Sequence, residues 1–270
     1  MKNVLLIGPY IGDWKQEILT FRPYAKWISE QLDYNNIFIS SHFNRKFLYD
    51  WIPEENFISV YEHLTRNETE QKNYIHKSVN IKDYKLLIKE LKQKISKQQN
   101  ISIRNITTYN LSYLESTPHY SWFQKSFSPI KIKPISNNYI LYIPANDISD
   151  DENQKIFDEL EKRYKNVYMI GDSHCYNFEY FINYQIDYFE TGYSNLMRYL
   201  LGCKMIVTPC SYWTMICNLH HLNVFSWGTG RNYKRNEDYG FDNQNNYILI
   251  DDNFERIFKS LEYFKNKIGV

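Results

Sequence analysis

Residues 204–228 hold the pattern with the clearest chemistry in this chain. An apolar segment, Met205–Val207, is followed by the turn Thr208-Pro-Cys-Ser211 and then by a helical segment from Tyr212 to His221. A turn between a parallel strand and a helix directs unpaired backbone N–H groups and a hydroxyl toward one point, where the helix dipole also favours negative charge. The pattern predicts a phosphate site at Ser211 and Tyr212, with Thr208 beside it. The alternative for Ser211 is a plain helix N-cap.

Four other residues are candidates for the same ligand. Ser194 and Arg231 supply a hydroxyl and a cation to a phosphate, while the rings of Tyr193 and Tyr212 suit stacking on a sugar or a base. Asp172 directly follows a predicted strand and is placed to contact a ribose or a base. Arg231 as a surface cation and Asp172 as a turn residue are the structural alternatives.

A second group of candidates lies in the first third of the chain. Asp13 follows the first predicted strand, where a carboxylate can act as a general base, and Glu17 is one helical turn further on. The alternative for Asp13 is the cap of a helix that starts at Trp14. Arg22 and His42 are candidate ligands of a phosphate or of a molecule that accepts a transferred group. An arginine of this kind more often pairs with a nearby acid.

Several patterns that would indicate other chemistry do not occur. The sequence has no GxxxxGK[ST] or GxGxxG motif, which argues against a kinase or a dehydrogenase, and its histidines form no catalytic set. No Asp-x-Asp follows a strand, so we expect no required divalent metal and no cofactor. Four cysteines without CxxC spacing indicate buried thiols in a reducing compartment rather than zinc.

Alternating strands and helices must position these residues, and this alternation is typical of a parallel α/β fold. The periodicity predicts strands at 4–7, 37–40, 57–60, 101–106, 139–143, 167–170, 205–207, 224–227 and 247–250, and helices at 14–32 (interrupted at Pro23), 81–97, 150–164, 193–202, 212–221 and 253–267. Prolines at 118, 129 and 134 interrupt the pattern and indicate a linker over 116–138. We therefore expect two Rossmann-like lobes, residues 1–120 and 137–270, whose strand-end loops face a central cleft.

Composition limits the partners of the chain. Its 270 residues include 32 lysines and arginines against 31 acidic residues, and this balance disfavours nucleic acid as a partner while leaving a local basic face open. No apolar run is long enough to span a membrane and no signal peptide is evident, so we expect a cytoplasmic protein. The abundance of Asn, Ile, Lys and Tyr indicates a low-GC genome, bacterial or viral.

Two segments resemble the heptosyltransferase-like glycosyltransferases of family nine, which have the GT-B fold. The turn Thr208-Pro-Cys-Ser-Tyr212, with Val224-Phe-Ser-Trp-Gly228 after it, resembles the donor-site turn of that family, and residues 190–203 resemble its lead-in. Ile11-Gly-Asp13 resembles the Gly-Asp loop that supplies the base. The departures are Cys210, Tyr212 and Met215, where the family has Asp, Gly and His.

The resemblance implies that a nucleotide sugar is the donor and that its sugar passes to a hydroxyl of a glycan or glycolipid, with inversion and without metal. The base implied is Asp13, with Glu17 as its competitor. Three alternatives stay open: a transferase acting on modified phage DNA, a nucleotide-sugar epimerase, and a non-catalytic binder of sugar nucleotides. The last alternative is motivated by the departures in the donor turn.

Overall fold

The chain divides into two compact units, Met1–Ile130 and Lys131–Val270. The computed structural model describes residues 3–11, 14–42, 44–60, 81–109, 127–135, 138–144, 148–171, 185–187, 193–228 and 245–270. The division falls between residues 130 and 131, inside the segment where the prolines predict a linker. Each unit contains its own parallel sheet.

The first unit has a four-stranded parallel sheet in the order β3-β2-β1-β4. Its strands are β1 (Val4–Ile7), β2 (Asn36–Ser41), β3 (Phe57–Ser59) and β4 (Ile106–Tyr109), and its helical segments are α1 (Trp14–Gln16), a π-helical turn (Glu17–Phe21), α2 (Arg22–Gln31) and α3 (Ile81–Gln99). One buried cluster packs α3 against the sheet through Val4, Leu6, Phe38, Tyr84, Leu91 and Ile95. The apolar face predicted for α3 is therefore the face that it buries.

The proline at position 23 does not break the helix. Instead, the π-helical turn Glu17–Phe21 precedes it, and Pro23 lies in the first turn of α2. The φ angle of proline suits a helix, and the preceding π-helical turn changes the backbone hydrogen-bond register at the position where proline has no N–H to donate. The wider turn lets the chain continue as a helix on both sides of the proline.

The strand predicted over 101–106 is wrong in position. Residues Ile103–Asn105 form a 3₁₀ turn whose first N–H groups are capped by the Ser102 side chain, which accepts from the N–H of Arg104 at 3.4 Å. The strand β4 begins only at Ile106. A local hydrogen bond that a serine side chain accepts therefore overrides the β-branched pattern at this point.

The second unit has a six-stranded parallel sheet in the order β10-β9-β8-β5-β6-β7, which is doubly wound. The strands are β5 (Ile140–Tyr142), β6 (Val167–Gly171), β7 (Gln185–Asp187), β8 (Met205–Pro209), β9 (Val224–Trp227) and β10 (Asn246–Leu249); the helices are α4 (Asp150–Arg163), α5 (Tyr193–Gly202), α6 (Tyr212–Leu219) and α7 (Phe254–Ile268). Strand β7 was not predicted. Every other predicted element of this unit is present, with ends shifted by up to two residues.

The helices of the second unit cover the two faces of its sheet. A single buried cluster joins α4 and α7 to Tyr142, Val207 and Trp227 on one face. The connection from β8 through α6 to β9 runs along the sheet in the direction opposite to that from β5 through α4 to β6. Because such connections are right-handed, α6 lies on the other face. Strand ends and helix starts thus meet at one edge of the sheet.

Candidate functional site

The carboxyl edge of the second sheet contains the turn that the sequence predicts as a phosphate site. Ser211 is the N-cap of α6: its hydroxyl accepts from the N–H of Trp213 at 3.2 Å, and the hydroxyl of Thr214 accepts from the N–H of Ser211 at 3.2 Å. This reciprocal pair is a capping box. Two of the amides that an anion would use are therefore already bonded within the protein.

The hydroxyl of Ser211 still has a proton to offer. A hydroxyl that accepts from an amide keeps its own hydrogen for a second partner, and a phosphate oxygen is a strong acceptor. Ser211 and Tyr212 are both partly exposed. Thr208, in contrast, is fully buried and its hydroxyl donates to the carbonyl of Pro209 at 3.1 Å. The structure therefore presents Ser211 and Tyr212 to a ligand, but it does not present Thr208.

A pocket of about 350 Å³ opens at the same edge. It lies where β8 and β9 end, and the beginnings of α4 and α7 flank it. Its lining residues are Ile148, Glu152, Lys155, Ile156, Pro209, Cys210, Trp227, Gly228, Asp252, Phe254 and Ile257. Most of these side chains are apolar, and the volume is at the lower end of the range for small-molecule sites.

Three charged residues of the described part of the chain line this pocket. Among them, Lys155 is the cation, and Glu152 and Asp252 are the carboxylates. Glu152 also accepts from the backbone N–H of Ser149 at 3.2 Å and completes the capping box of α4. Ser149 with Glu152 three residues later has the spacing typical of a capping box, and the structure forms it. The sequence analysis did not identify Lys155 as a site residue. The sequence signal that could have found it is its position near the start of a helix that follows a parallel strand.

Gly228 keeps the pocket open at the end of β9. Its φ of +156° is in a region that other residues rarely adopt, and a Cβ added there would lie 3.3 Å from the Cβ of Cys210. Any side chain at position 228 would be strained and would crowd Cys210, which lines the pocket. The glycine that ends the second apolar segment of the sequence thus has a physical role at this site.

The first unit contains a buried polar cluster around Glu17. The Glu17 carboxylate has no exposed surface, and it accepts from the Ser41 hydroxyl, the Tyr49 hydroxyl at 2.5 Å and the Arg45 guanidinium. Burial raises the pKa of Tyr49 well above its ordinary value, and the negative charge of Glu17 raises it further. Glu17 is therefore a fully bonded buried carboxylate. Neither Arg45 nor Tyr49 was expected from sequence, because both reach Glu17 from far along the chain.

Arg22 is buried as well, and its hydrogen-bond donors are committed. Its Nε donates to the carbonyl of Leu48 at 2.6 Å, Nη1 donates to the carbonyl of Ser128 at 2.5 Å, and Nη2 lies 3.6 Å from the Asp50 carboxylate. Burial lowers the pKa of Arg22 to about 10, against the opposing effect of Asp50. This arginine joins segments of its own unit and is not presented to a phosphate in the structure.

The remaining candidates fall into two groups. His42 follows β2 and is 1% exposed, Tyr193 is buried at the start of α5, and Ser194 is partly exposed beside it. Asp13, Asp172 and Arg231 lie outside the described residues, so their predicted roles stay predictions. His220 follows the last residue of α6, and its Nδ1 lies 2.7 Å from the carbonyl oxygen of Ile216.

Metal-binding groups and membrane-spanning helices are both absent from the described part of the chain. Within those residues, no three or more His, Cys, Asp or Glu side chains form a group that would hold a metal ion. The side chains of Cys210 and Cys217 are buried. No helix among the described ranges combines the length and the apolar character that crossing a bilayer requires.

Comparison with solved structures identifies the architecture. The chain aligns over 99% of its length with 100% of an ADP-heptose heptosyltransferase II from E. coli, at a TM-score of 0.54 and 11% identity. It aligns over 97% of its length with 89% of a family nine glycosyltransferase from Veillonella parvula, at a TM-score of 0.53 and 10% identity. No protein-family model and no curated protein sequence matches the chain. At these identities the likeness shows the fold: two Rossmann-like α/β units in the GT-B arrangement of elements, similar to the heptosyltransferases.

Proposed function

We propose that this GT-B protein transfers a sugar from a nucleotide-sugar donor to a hydroxyl of a glycan or glycolipid. The observation that carries the proposal is the pocket at the carboxyl ends of β8 and β9, with the start of α6 directly after it. Ligands of doubly wound sheets bind at this edge. The nearly complete alignment with two glycosyltransferase structures supports the same assignment.

The two parts of this edge suit the two parts of a donor. Among the described residues that line the pocket, two carboxylates outnumber a single lysine, so the pocket fits an uncharged nucleoside better than a diphosphate. The diphosphate suits the start of α6, where Ser211 and Tyr212 are partly exposed and the helix dipole favours an anion. Pro209 and Cys210 join the two parts. Lys155 would approach the phosphate nearest the nucleoside, and Ser194, Tyr193, Asp172 and Arg231 stay candidates for donor contacts.

The proposed reaction is a direct displacement. A base removes the proton of the acceptor hydroxyl, the acceptor oxygen forms a bond to the anomeric carbon, and the bond to the diphosphate oxygen breaks on the opposite side. The nucleoside diphosphate leaves with the bonding electron pair, and the anomeric configuration inverts. Asp13 is the proposed base, and amides, hydroxyls and cations stabilise the leaving group without a metal.

Binding of nucleoside diphosphates to wild-type protein and to two lysine variants tests the donor site. Lys155→Met removes the cation of the pocket, whereas Lys162→Met removes an exposed lysine of the same helix that lies 3.5 Å from Glu159. We expect Lys155→Met to weaken the preferred nucleoside diphosphate about tenfold, roughly 1.4 kcal/mol, and Lys162→Met to leave it unchanged. Calorimetric titration measures both. Equal affinities for all three proteins would contradict the donor site.

Release of nucleoside diphosphate from a panel of nucleotide sugars then tests turnover. Activity that persists in excess EDTA is the expected result for a metal-independent transferase. Tight binding without release from any donor would favour the non-catalytic alternative. Salt-sensitive binding to duplex DNA would favour a DNA acceptor.

A further inference from the structure

We propose that Glu17 is a positioning residue rather than the base: its buried carboxylate, held by Ser41, Arg45 and Tyr49, anchors the start of the helix that follows the Gly12-Asp13 segment. The inference rests on the proposed function, because it assigns the roles of two carboxylates in the transfer reaction. The four side chains Glu17, Ser41, Arg45 and Tyr49 are called the Glu17 cluster below.

The burial and the hydrogen-bond partners of Glu17 argue against its acting as a base. One carboxylate oxygen accepts from both the Ser41 and the Tyr49 hydroxyls, and the other accepts from the Arg45 guanidinium. A general base must reach the proton that it removes, directly or through one water, and the Glu17 side chain has no exposed surface.

The position of the cluster in the fold indicates what it holds. Glu17 begins the π-helical turn Glu17–Phe21, one turn after α1 starts at Trp14. Ser41 ends β2, while Arg45 and Tyr49 lie on either side of the 3₁₀ turn that follows it. The cluster therefore ties the segment after β1 to the segment after β2, at the edge of the first sheet where both strands end.

Buried aromatic side chains pack around the cluster. Trp14 is 2% exposed and Phe21 is fully buried, and the ring of Phe21 packs between Tyr10 at 4.9 Å and Tyr49 at 6.3 Å between ring centroids. Single-turn π-helical segments of this kind are frequent at functional sites. A change of charge inside the cluster would leave an unpaired buried ion and shift the helix start that follows Asp13 in the sequence.

The experiment compares turnover in Glu17→Gln, Arg45→Met and the double variant, with nucleoside diphosphate release as the readout. If the cluster positions the reaction, both single variants lower kcat by a similar factor, about 10²-fold, because misplacement alone costs that much. Their effects do not add in the double variant, since either change already breaks the pair. The KM for the donor stays within about twofold, as expected when uniform donor binding is unaffected.

The pH dependence separates positioning from proton removal. The acid limb of kcat/KM persists in Glu17→Gln at an unchanged midpoint and disappears in Asp13→Asn, because only loss of the base removes it. Glu17→Gln without an acid limb, combined with full turnover in Arg45→Met, would overturn the inference and make Glu17 the base.

Two controls account for loss of fold and for failure of the proposed function. Ile18→Val trims a fully buried side chain of the same turn without touching the cluster, and turnover close to wild type is expected. A loss equal to that of Glu17→Gln would show that any change in this turn is harmful.

If the wild-type protein releases nothing from any donor, the proposed function fails by itself. The unfolding equilibria of the same variants then decide the inference, because additive effects of Glu17→Gln and Arg45→Met on stability would refute the anchor.

Discussion

Tyr49 shows how a single residue depends on the fold around it. Its side chain has no exposed surface, and its hydroxyl donates to Glu17 at 2.5 Å. Burial raises the pKa of Tyr49 well above its ordinary value, and the Glu17 charge adds to the rise. Burial also raises the pKa values of Tyr139 and Tyr164, which are in the second unit. Above a pH of about 10, the folded protein therefore keeps phenolic protons that the unfolded chain loses.

This difference predicts alkaline destabilisation. The folded pKa of Tyr49 lies above the unfolded value of about 10, so its stabilising effect is complete below pH 10 and is lost as the pH rises further. In Tyr49→Phe we expect the fall in unfolding free energy above pH 10 to be shallower by up to about 1.4 kcal/mol per pH unit. Urea denaturation at pH 8, 9, 10 and 11 measures it. An identical slope in both proteins above pH 10 would contradict the assignment.

At the scale of elements, helix α6 combines a structural cap with a proposed ligand site. Ser211 accepts from the N–H of Trp213 and remains able to donate its hydroxyl proton. The cap and the anion contact use the same side chain, so an alanine substitution alone does not separate them.

A pair of substitutions at Ser211 separates the two roles. Ser211→Ala should cost about 1 kcal/mol of unfolding free energy, whereas Ser211→Gly should cost only a few tenths because glycine is tolerated at an N-cap. Both variants lose the hydroxyl, so both should weaken nucleoside diphosphate binding by a similar factor, whereas a nucleoside without phosphate should bind unchanged. Chemical denaturation and calorimetry provide the two readouts. Normal diphosphate affinity in Ser211→Gly would remove the hydroxyl from the proposed site.

At the scale of the whole molecule, the two units have separate hydrophobic cores. The cluster around Leu91 and Ile95 belongs to the first unit, and the cluster around Leu261 and Phe264 belongs to the second. All residues that line the proposed nucleoside pocket belong to the second unit. A nucleoside diphosphate should therefore stabilise the second unit first.

Hydrogen exchange of the full chain tests this expectation. With ligand at about 100 times its Kd, binding stabilises the folded protein by about 2.7 kcal/mol. Amide exchange therefore slows wherever it requires an opening of the structure that also releases the ligand. We expect added protection in peptides covering the ends of β8 and β9 and the first turns of α4 and α6, with less change in β1 to β4. Protection confined to the first unit would place the nucleotide elsewhere.

Much of the element order could be predicted from sequence because the signals are local. The periodic apolar residues of α3, α4 and α7, and the Ser149 and Glu152 capping box, depend on neighbours a few residues apart. The same holds for the turn before α6. The prediction failed at residues 101–106, where a serine cap competes with strand formation, and at β7, a three-residue strand too short to show a period.

By itself, the sequence determined a parallel α/β chain with a strand, a tight turn and a helix around residues 208–212, because periodicity and turn chemistry are properties of adjacent residues. Only the tertiary structure decided which polar side chains face a ligand. Glu17 and Arg22 are each buried by partners more than 20 residues away along the chain, and Lys155 lines a pocket together with the ends of β8 and β9. Burial and electrostatic pairing arise from distant segments brought together, and no local pattern records them.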